Sequence, residues 1–249
     1  MFENHEGKAV PEVTFHIREN NAWKEVTTRE LFKGQTVAVF SLPGAFTPTC
    51  SSTHLPRYNE LAPAFFANGV DRILCISVND TFVMNEWAKD QEAHNITMIP
   101  DGNGTFTAGM NMLVDKQDLG FGSRSWRYSM LVRDGIVVKQ FIEPNQPGDP
   151  FEVSDADTLL AYINPNAKIP DQVAILTREG CPHCARAKAL LSAQGYAYAE
   201  IALPPTTRTR VVGAITGQGT VPQVFVNGEH IGGADDLEAW VAARTAQAA

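Results

Sequence analysis

The chain has 249 residues, 44% hydrophobic and 19% charged, the balance of a globular protein with room for one large domain or two ordinary ones. Its net charge of −8, from 20 Lys and Arg against 28 Asp and Glu, repels a phosphate backbone and argues against nucleic acid as a partner. Apolar runs such as 37–40 and 73–76 fall far short of the roughly 18 residues a membrane helix requires, so no membrane partner is expected either.

Residues 1–6 are acidic where a secretory signal would be basic and then apolar, which predicts a cytoplasmic protein whose four cysteines stay reduced. Runs rich in Val and Ile at 36–41, 72–78, 130–132 and 136–142 read as strands, with helical stretches between them. Asp134-Gly135 supplies the positive φ angles of a hairpin turn between the last two. Residues 154–157 cap a helical stretch at 159–163. The polar segment 164–171, Asn-Pro-Asn-Ala-Lys-Ile-Pro-Asp, then predicts a linker between a domain at 1–163 and a second at 172–249. In the second domain, 172–177 is a strand and 185–193 has helical spacing. A hairpin joins 224–226 to 229–231 through Asn227-Gly228, and 235–243 is a last helix. The predicted fold class is α/β, each domain a central mixed β-sheet flanked by helices.

Pro43-Gly44-Ala45-Phe46-Thr47-Pro48-Thr49-Cys50 follows a strand and precedes a helix, so Cys50 is expected in the first helical turn. There, free N–H groups and the positive end of the helix dipole favour the thiolate, the nucleophilic form. Thr47, one turn earlier, is placed to direct its hydroxyl at the same sulfur. A lone cysteine is commonly inert and buried, but these flanking residues argue against that.

The spacing of Pro43, Thr47 and Cys50 resembles the P-x-x-x-T-x-x-C of the peroxiredoxins, and P-G-A-F-T-P-T-C-S is similar to their short type V and type II members, over residues 1–163. The resemblance implies a thioredoxin-like domain in which Cys50 attacks the O–O bond of a hydroperoxide. It further implies that Arg127, in Ser125-Trp126-Arg127-Tyr128-Ser129, stabilises the thiolate and the developing charge, with Arg124 as its rival. A homo-oligomer, dimer or tetramer, is implied as well. His54, four residues after Cys50, is either a general base or a packed histidine. Cys75, in an apolar strand, is either core or the partner of Cys50 in a disulfide. No other cysteine lies in this domain, so a sulfenic acid on Cys50 needs a thiol from elsewhere or risks over-oxidation.

Cys181-Pro182-His183-Cys184 follows a strand and opens a helix, the context that makes C-x-x-C redox-active. A structural zinc site needs four ligands and no second Cys or His pair follows, so no metal is expected. Thr220-Val221-Pro222 resembles the T-V-P of the glutaredoxins, where the proline is cis. Residues 231–236, Ile-Gly-Gly-Ala-Asp-Asp, resemble their G-G-x-D-D, and the likeness covers 172–245. It implies that Cys181 is an exposed nucleophile that takes glutathione into a mixed disulfide, with Cys184 the more buried second thiol. It also implies that Arg178 meets the glycine carboxylate of glutathione, that Thr220, Val221 and Pro222 flank its backbone, and that Gly233, Asp235 and Asp236 meet its γ-glutamyl end. His183 stands where Tyr or Phe is usual. Cys-Pro-His-Cys also occurs in oxidising periplasmic oxidases, so the redox potential stays open, although the missing export signal disfavours an oxidase.

Together the resemblances imply two thioredoxin-like domains and a glutathione-dependent thiol peroxidase acting on hydrogen peroxide and alkyl hydroperoxides. Glutathione is the reducing cosubstrate, and no tightly bound cofactor is expected. A linker of about 8 residues spans at most about 25 to 30 Å, which leaves transfer within or between chains open. A protein deglutathionylase and a redox sensor are the rival functions.

Overall fold

Described here as a computed structural model over residues 2–248, the chain opens on a hairpin of β1 (Thr14–Glu19) and β2 (Ala22–Thr27). The short α1 (Thr28–Phe32) follows, started by a capping box in which Thr27 and Glu30 each bond the other's backbone N–H. Next come β3 (Thr36–Leu42), α2 (Leu55–Ala67), β4 (Arg72–Ser77), α3 (Thr81–Asp90) and β5 (Ile96–Pro100). The first unit ends with α4 (Thr105–Gly109), a small hairpin of β6 (Leu113–Asp115) and β7 (Ser123–Ser125), then β8 (Tyr128–Arg133), β9 (Ile136–Ile142) and α5 (Ala156–Ile163).

The main sheet has the order β5-β4-β3-β8-β9. The first three strands are parallel, and β8 and β9 are antiparallel to their neighbours. Asp134 at φ 47° and Gly135 at φ 81° make the β8–β9 turn, the backbone that Asp-Gly favours. Period-two alternation along the strands sorts the core. Val37, Val39, Leu74 and Ile76 join Phe32 and Phe106 on one face of the sheet. Ala38, Phe40, Ile73 and Cys75 join Leu55, Tyr58 and Leu159 on the other. Both faces of β4 are therefore buried, as its unbroken apolar run predicts.

The chain divides after Ile169 into two units. The polar segment 164–171 is shorter as a free connection than its composition suggests. Asn164 donates to Asn68 at 2.7 Å and Ala167 packs on the first core, while Asp171 accepts from Asn227 at 2.7 Å and Arg244 at 2.9 Å in the second unit. Short polar side chains that read as linker residues here serve as fasteners at each end.

The second unit comprises β10 (Val173–Thr177), α6 (Pro182–Ala193), β11 (Tyr198–Ala202), α7 (Pro205–Thr216), β12 (Gln223–Val226), β13 (Glu229–Gly232) and α8 (Ala234–Ala248). Its sheet runs β11-β10-β12-β13, with β10 parallel to β11 and antiparallel to β12, over a core that includes Ile175, Leu191, Val224 and Leu237. Each unit is thus a mixed sheet flanked by helices, with a cysteine where a helix starts after a central strand. This is the thioredoxin-like arrangement.

Candidate active sites

In the first unit the chain leaves β3 through Pro43 and turns at residues 45–46, where the Ala45 N–H donates to Asn79 at 3.0 Å. Winding begins at Pro48, and Cys50–His54 form one π-helical turn ahead of α2. Cys50 therefore stands in the first helical turn, with no exposed surface at all. Thr47 departs from expectation. Its hydroxyl donates to the Gly44 carbonyl at 2.9 Å, so its single hydrogen is committed and only its lone pairs face a newcomer. It can accept from a hydroperoxide but does not donate to the sulfur.

Arg127 lies between β7 and β8 and is 1% exposed. Its Nη1 is 3.6 Å from the Cys50 Sγ and 3.0 Å from His54 Nδ1. Its Nη2 meets both oxygens of Asp149 at 2.5 and 2.6 Å, and Phe151 lies under the guanidinium at 5.4 Å. Nε is buried and has no partner among the described residues. Burial opposes the Arg127 charge, but Cys50 and Asp149 more than offset it, so the group holds its proton more firmly than usual. Arg124 plays no part here: it donates to the carbonyls of Phe121, at 2.9 Å, and Val78.

His54 is buried, and its Nε2 sits 3.2 Å from the Ser154 carbonyl, an acceptor that requires the hydrogen on Nε2. Nδ1 must then accept from Arg127. Burial, with the Arg127 charge beside it, holds the ring well below the ordinary histidine range, so it is neutral and its one lone pair is occupied. A packed, positioned histidine is the outcome, and not a base for Cys50. Cys75 stands in mid-strand between Phe40 and Met98, fully buried. Burial, reinforced by Cys50, pushes its thiol well above the ordinary range, which leaves it a core residue.

Sequence reasoning missed the loop 143–155 that closes this site. The buried Glu143 carboxylate accepts the N–H groups of Glu152, Val153 and Ser154 at 2.8 to 3.0 Å and the Ser154 hydroxyl at 2.7 Å. That nest brings Asp149 and Phe151 onto Arg127 and the Ser154 carbonyl onto His54. The one available signal was an acidic residue followed by a proline- and glycine-rich stretch, which marks a stiff loop without saying what it touches.

In the second unit Cys181 caps α6. Pro182 lacks an N–H, and the Cys184 N–H donates to the Cys181 sulfur at 3.2 Å. The Val221 carbonyl is 3.8 Å from that sulfur, and the Val221-Pro222 bond is cis. Cys181 is less open than expected, 7% exposed against 2% for Cys184, because these backbone groups close over it. It nevertheless lines a cavity of about 570 Å³. Burial acts to raise the Cys181 thiol, but the Cys184 thiol and N–H, with Arg178, outweigh it and bring the group below its ordinary range. Burial and the bond to Cys181 push Cys184 up to about 11.

The same cavity gathers the other residues singled out in the second unit. Arg178 and His183 line it beside Thr220, Val221 and Pro222, and Gly233, Asp235 and Asp236 line it from the start of α8. The two acids are not free. Asp236 accepts the Gly233 N–H at 2.8 Å, and Asp235 is ion-paired with Arg186. Arg208, also on the wall, escaped the sequence reading because nothing local sets it apart.

Two thioredoxin-like units, each with a cysteine held at a helix start, define a thiol-redox enzyme. The family model described as Redoxin matches residues 5–160 and that described as Glutaredoxin matches 173–231. The hybrid peroxiredoxin hyPrx5 of Haemophilus influenzae is 61% identical over 237 residues, which cover 95% of this chain and 98% of that protein. A peroxiredoxin of Synechocystis is 55% identical over 167 residues, 62% of this chain and 88% of its own. Among solved structures, reduced Prx3 of Vibrio vulnificus in complex with hydrogen peroxide matches with a TM-score of 0.61 at 39% identity, covering 65% of this chain and 99% of that one. The chain belongs to the Redoxin family, as a peroxiredoxin peroxidase with a glutaredoxin domain fused to it.

Proposed function

We propose that the enzyme reduces hydrogen peroxide and alkyl hydroperoxides with electrons from glutathione, using Cys50 for the peroxide and Cys181 for the glutathionyl group. The Cys50 thiolate attacks the terminal oxygen of the hydroperoxide. An S–O bond forms, the O–O bond breaks, and the alkoxide or hydroxide leaves and takes up a proton. Thr47 accepts from the incoming peroxide, Pro43 shapes its entry, and Arg127 donates to the oxygen where charge develops. One glutathione condenses with the sulfenic acid, releasing water and leaving Cys50 in a mixed disulfide. Cys181 takes over the glutathionyl group, and a second glutathione removes it as glutathione disulfide.

The observation that carries this reading is the state of Cys75. It is the only other cysteine in the first unit, and it is locked inside β4 with a raised pKa. A cysteine-centred peroxidase without a usable resolving thiol stands in one chain with a second thiol held below its ordinary range in a wide cavity. Arg178, His183, Thr220, Val221, Pro222, Gly233, Asp235 and Asp236 would hold glutathione in that cavity. The glycine carboxylate suits Arg178, and the amino end suits Asp235 once it is released from Arg186.

The same reading assigns residues 1–163 and 172–249 to the two activities and keeps a cytoplasmic, homo-oligomeric enzyme. Sedimentation showing only monomer would remove the oligomer. The deciding assay follows peroxide consumption with glutathione as the sole reductant in the parent, Cys50→Ser, Cys181→Ser and Cys184→Ser. Loss in the first two variants with activity kept in the third supports the cycle; full activity in Cys181→Ser refutes it.

A further inference from the structure

The buried Arg127 guanidinium has three nitrogens with three different surroundings. Nη1 faces Cys50 and His54, Nη2 faces the Asp149 carboxylate, and Nε has no partner among the described residues. A guanidinium is rigid and planar, so gripping one nitrogen from outside sets the direction of the other two. The grip is itself firmly mounted. Glu143 fastens the far end of the loop through four hydrogen bonds, and Pro147 and Pro150 restrict the backbone on either side of Asp149. Phe151, on the same loop, lies under the guanidinium and 4.9 Å from the His54 ring.

We infer that Asp149 is a positioning residue for the peroxide reaction: it holds Arg127 from the solvent side so that the inner donors aim at the reacting oxygen. This rests on the reading of Cys50 as the peroxide-reactive sulfur. A second duty follows from charge balance. When the S–O bond forms and the leaving oxygen carries the negative charge away, the sulfur becomes neutral and Arg127 loses its anion. A buried cation without a partner is strongly disfavoured, and neutral His54 cannot replace the thiolate. Asp149 supplies the counter-charge through its ion pair with Nη2, and its side chain, 44% exposed, does so without being buried itself.

The test uses the full chain and three variants: Asp149→Asn, Asp149→Glu, and Glu152→Gln as a control on the same loop. Cys50 is followed by mass spectrometry of its peptide during reaction with hydrogen peroxide and, separately, with iodoacetamide. Alkylation needs a nucleophilic sulfur and access to it, whereas peroxide cleavage needs aimed donors as well. In Asp149→Asn the ratio of the peroxide rate to the alkylation rate should fall by about tenfold or more, Asp149→Glu should restore most of it, and Glu152→Gln should leave it unchanged. A ratio in Asp149→Asn equal to the parent's overturns the inference, as does an equal fall in Glu152→Gln or no recovery in Asp149→Glu. A parent Cys50 no faster toward peroxide than an ordinary thiol overturns the underlying reading as well.

Discussion

His54 reaches the Ser154 carbonyl with Nε2 at 3.2 Å and Arg127 Nη1 with Nδ1 at 3.0 Å, so both ring nitrogens are engaged and the ring is held neutral. Its pKa in the folded protein lies well below the ordinary value, with burial the main cause. Well above pH 6.5 neither folded nor unfolded chain protonates this ring, and its contribution to stability is intact. Below about pH 6.5 the unfolded chain takes up a proton that the folded chain refuses, so stability drops by up to about 1.4 kcal/mol per pH unit. Urea midpoints between pH 7 and 5 should therefore fall more steeply in the parent than in His54→Asn. Parallel slopes would contradict the assignment.

Arg127→Lys should be far more damaging than Arg124→Lys. An ammonium is a single point and cannot face Cys50, His54 and Asp149 at once, whereas Arg124 only binds two carbonyls away from the sulfur. Stopped-flow rates with hydrogen peroxide should drop by about a hundredfold in the first variant and change by less than about threefold in the second.

Within the second unit, alkylation should discriminate between neighbouring thiols. Cys181 sits below its ordinary range and Cys184 is pushed up to about 11, so limiting iodoacetamide at pH 7 should label Cys181 and spare Cys184. Peptide mapping that found equal labelling would show that the hydrogen bond between them does not polarise the pair.

Gly232 offers a structural test of whether the cavity beside Cys181 holds glutathione. Its φ of 120° suits glycine, and a Cβ there would collide with the Asp236 carboxylate that holds the Gly233 N–H. Gly232→Ala should raise the KM for glutathionylated substrate about tenfold or more while leaving the Cys50 reaction with peroxide unchanged. An unaltered KM would mean that this end of the cavity does not bind the substrate.

The placement of Cys50 and Cys181 at helix starts was legible in the sequence because strand, turn and helix start are local features. The hairpin turns at Asp134-Gly135 and Asn227-Gly228 were legible for the same reason. Arg127 was reachable only through family likeness, since 77 residues separate it from Cys50. Asp149, Phe151 and Ser154 were not legible at all. Their placement depends on Glu143, a carboxylate buried by backbone N–H groups rather than by a cation, and no periodicity announces such a nest. The direction of the Thr47 hydroxyl was misjudged because a single hydrogen chose a carbonyl three residues back.

The complete burial of Cys50 makes the fold a sieve. On the proposed cycle a hydroperoxide has to reach a sulfur with no exposed surface, and the far bulkier glutathione can follow it only if the π-helical turn that holds the sulfur opens. In that cycle the oxidised sulfur waits on a backbone event and not on a collision alone. The length of that wait, set against the arrival of another oxidant, fixes how many turnovers each molecule completes before it is lost to the sulfinic acid.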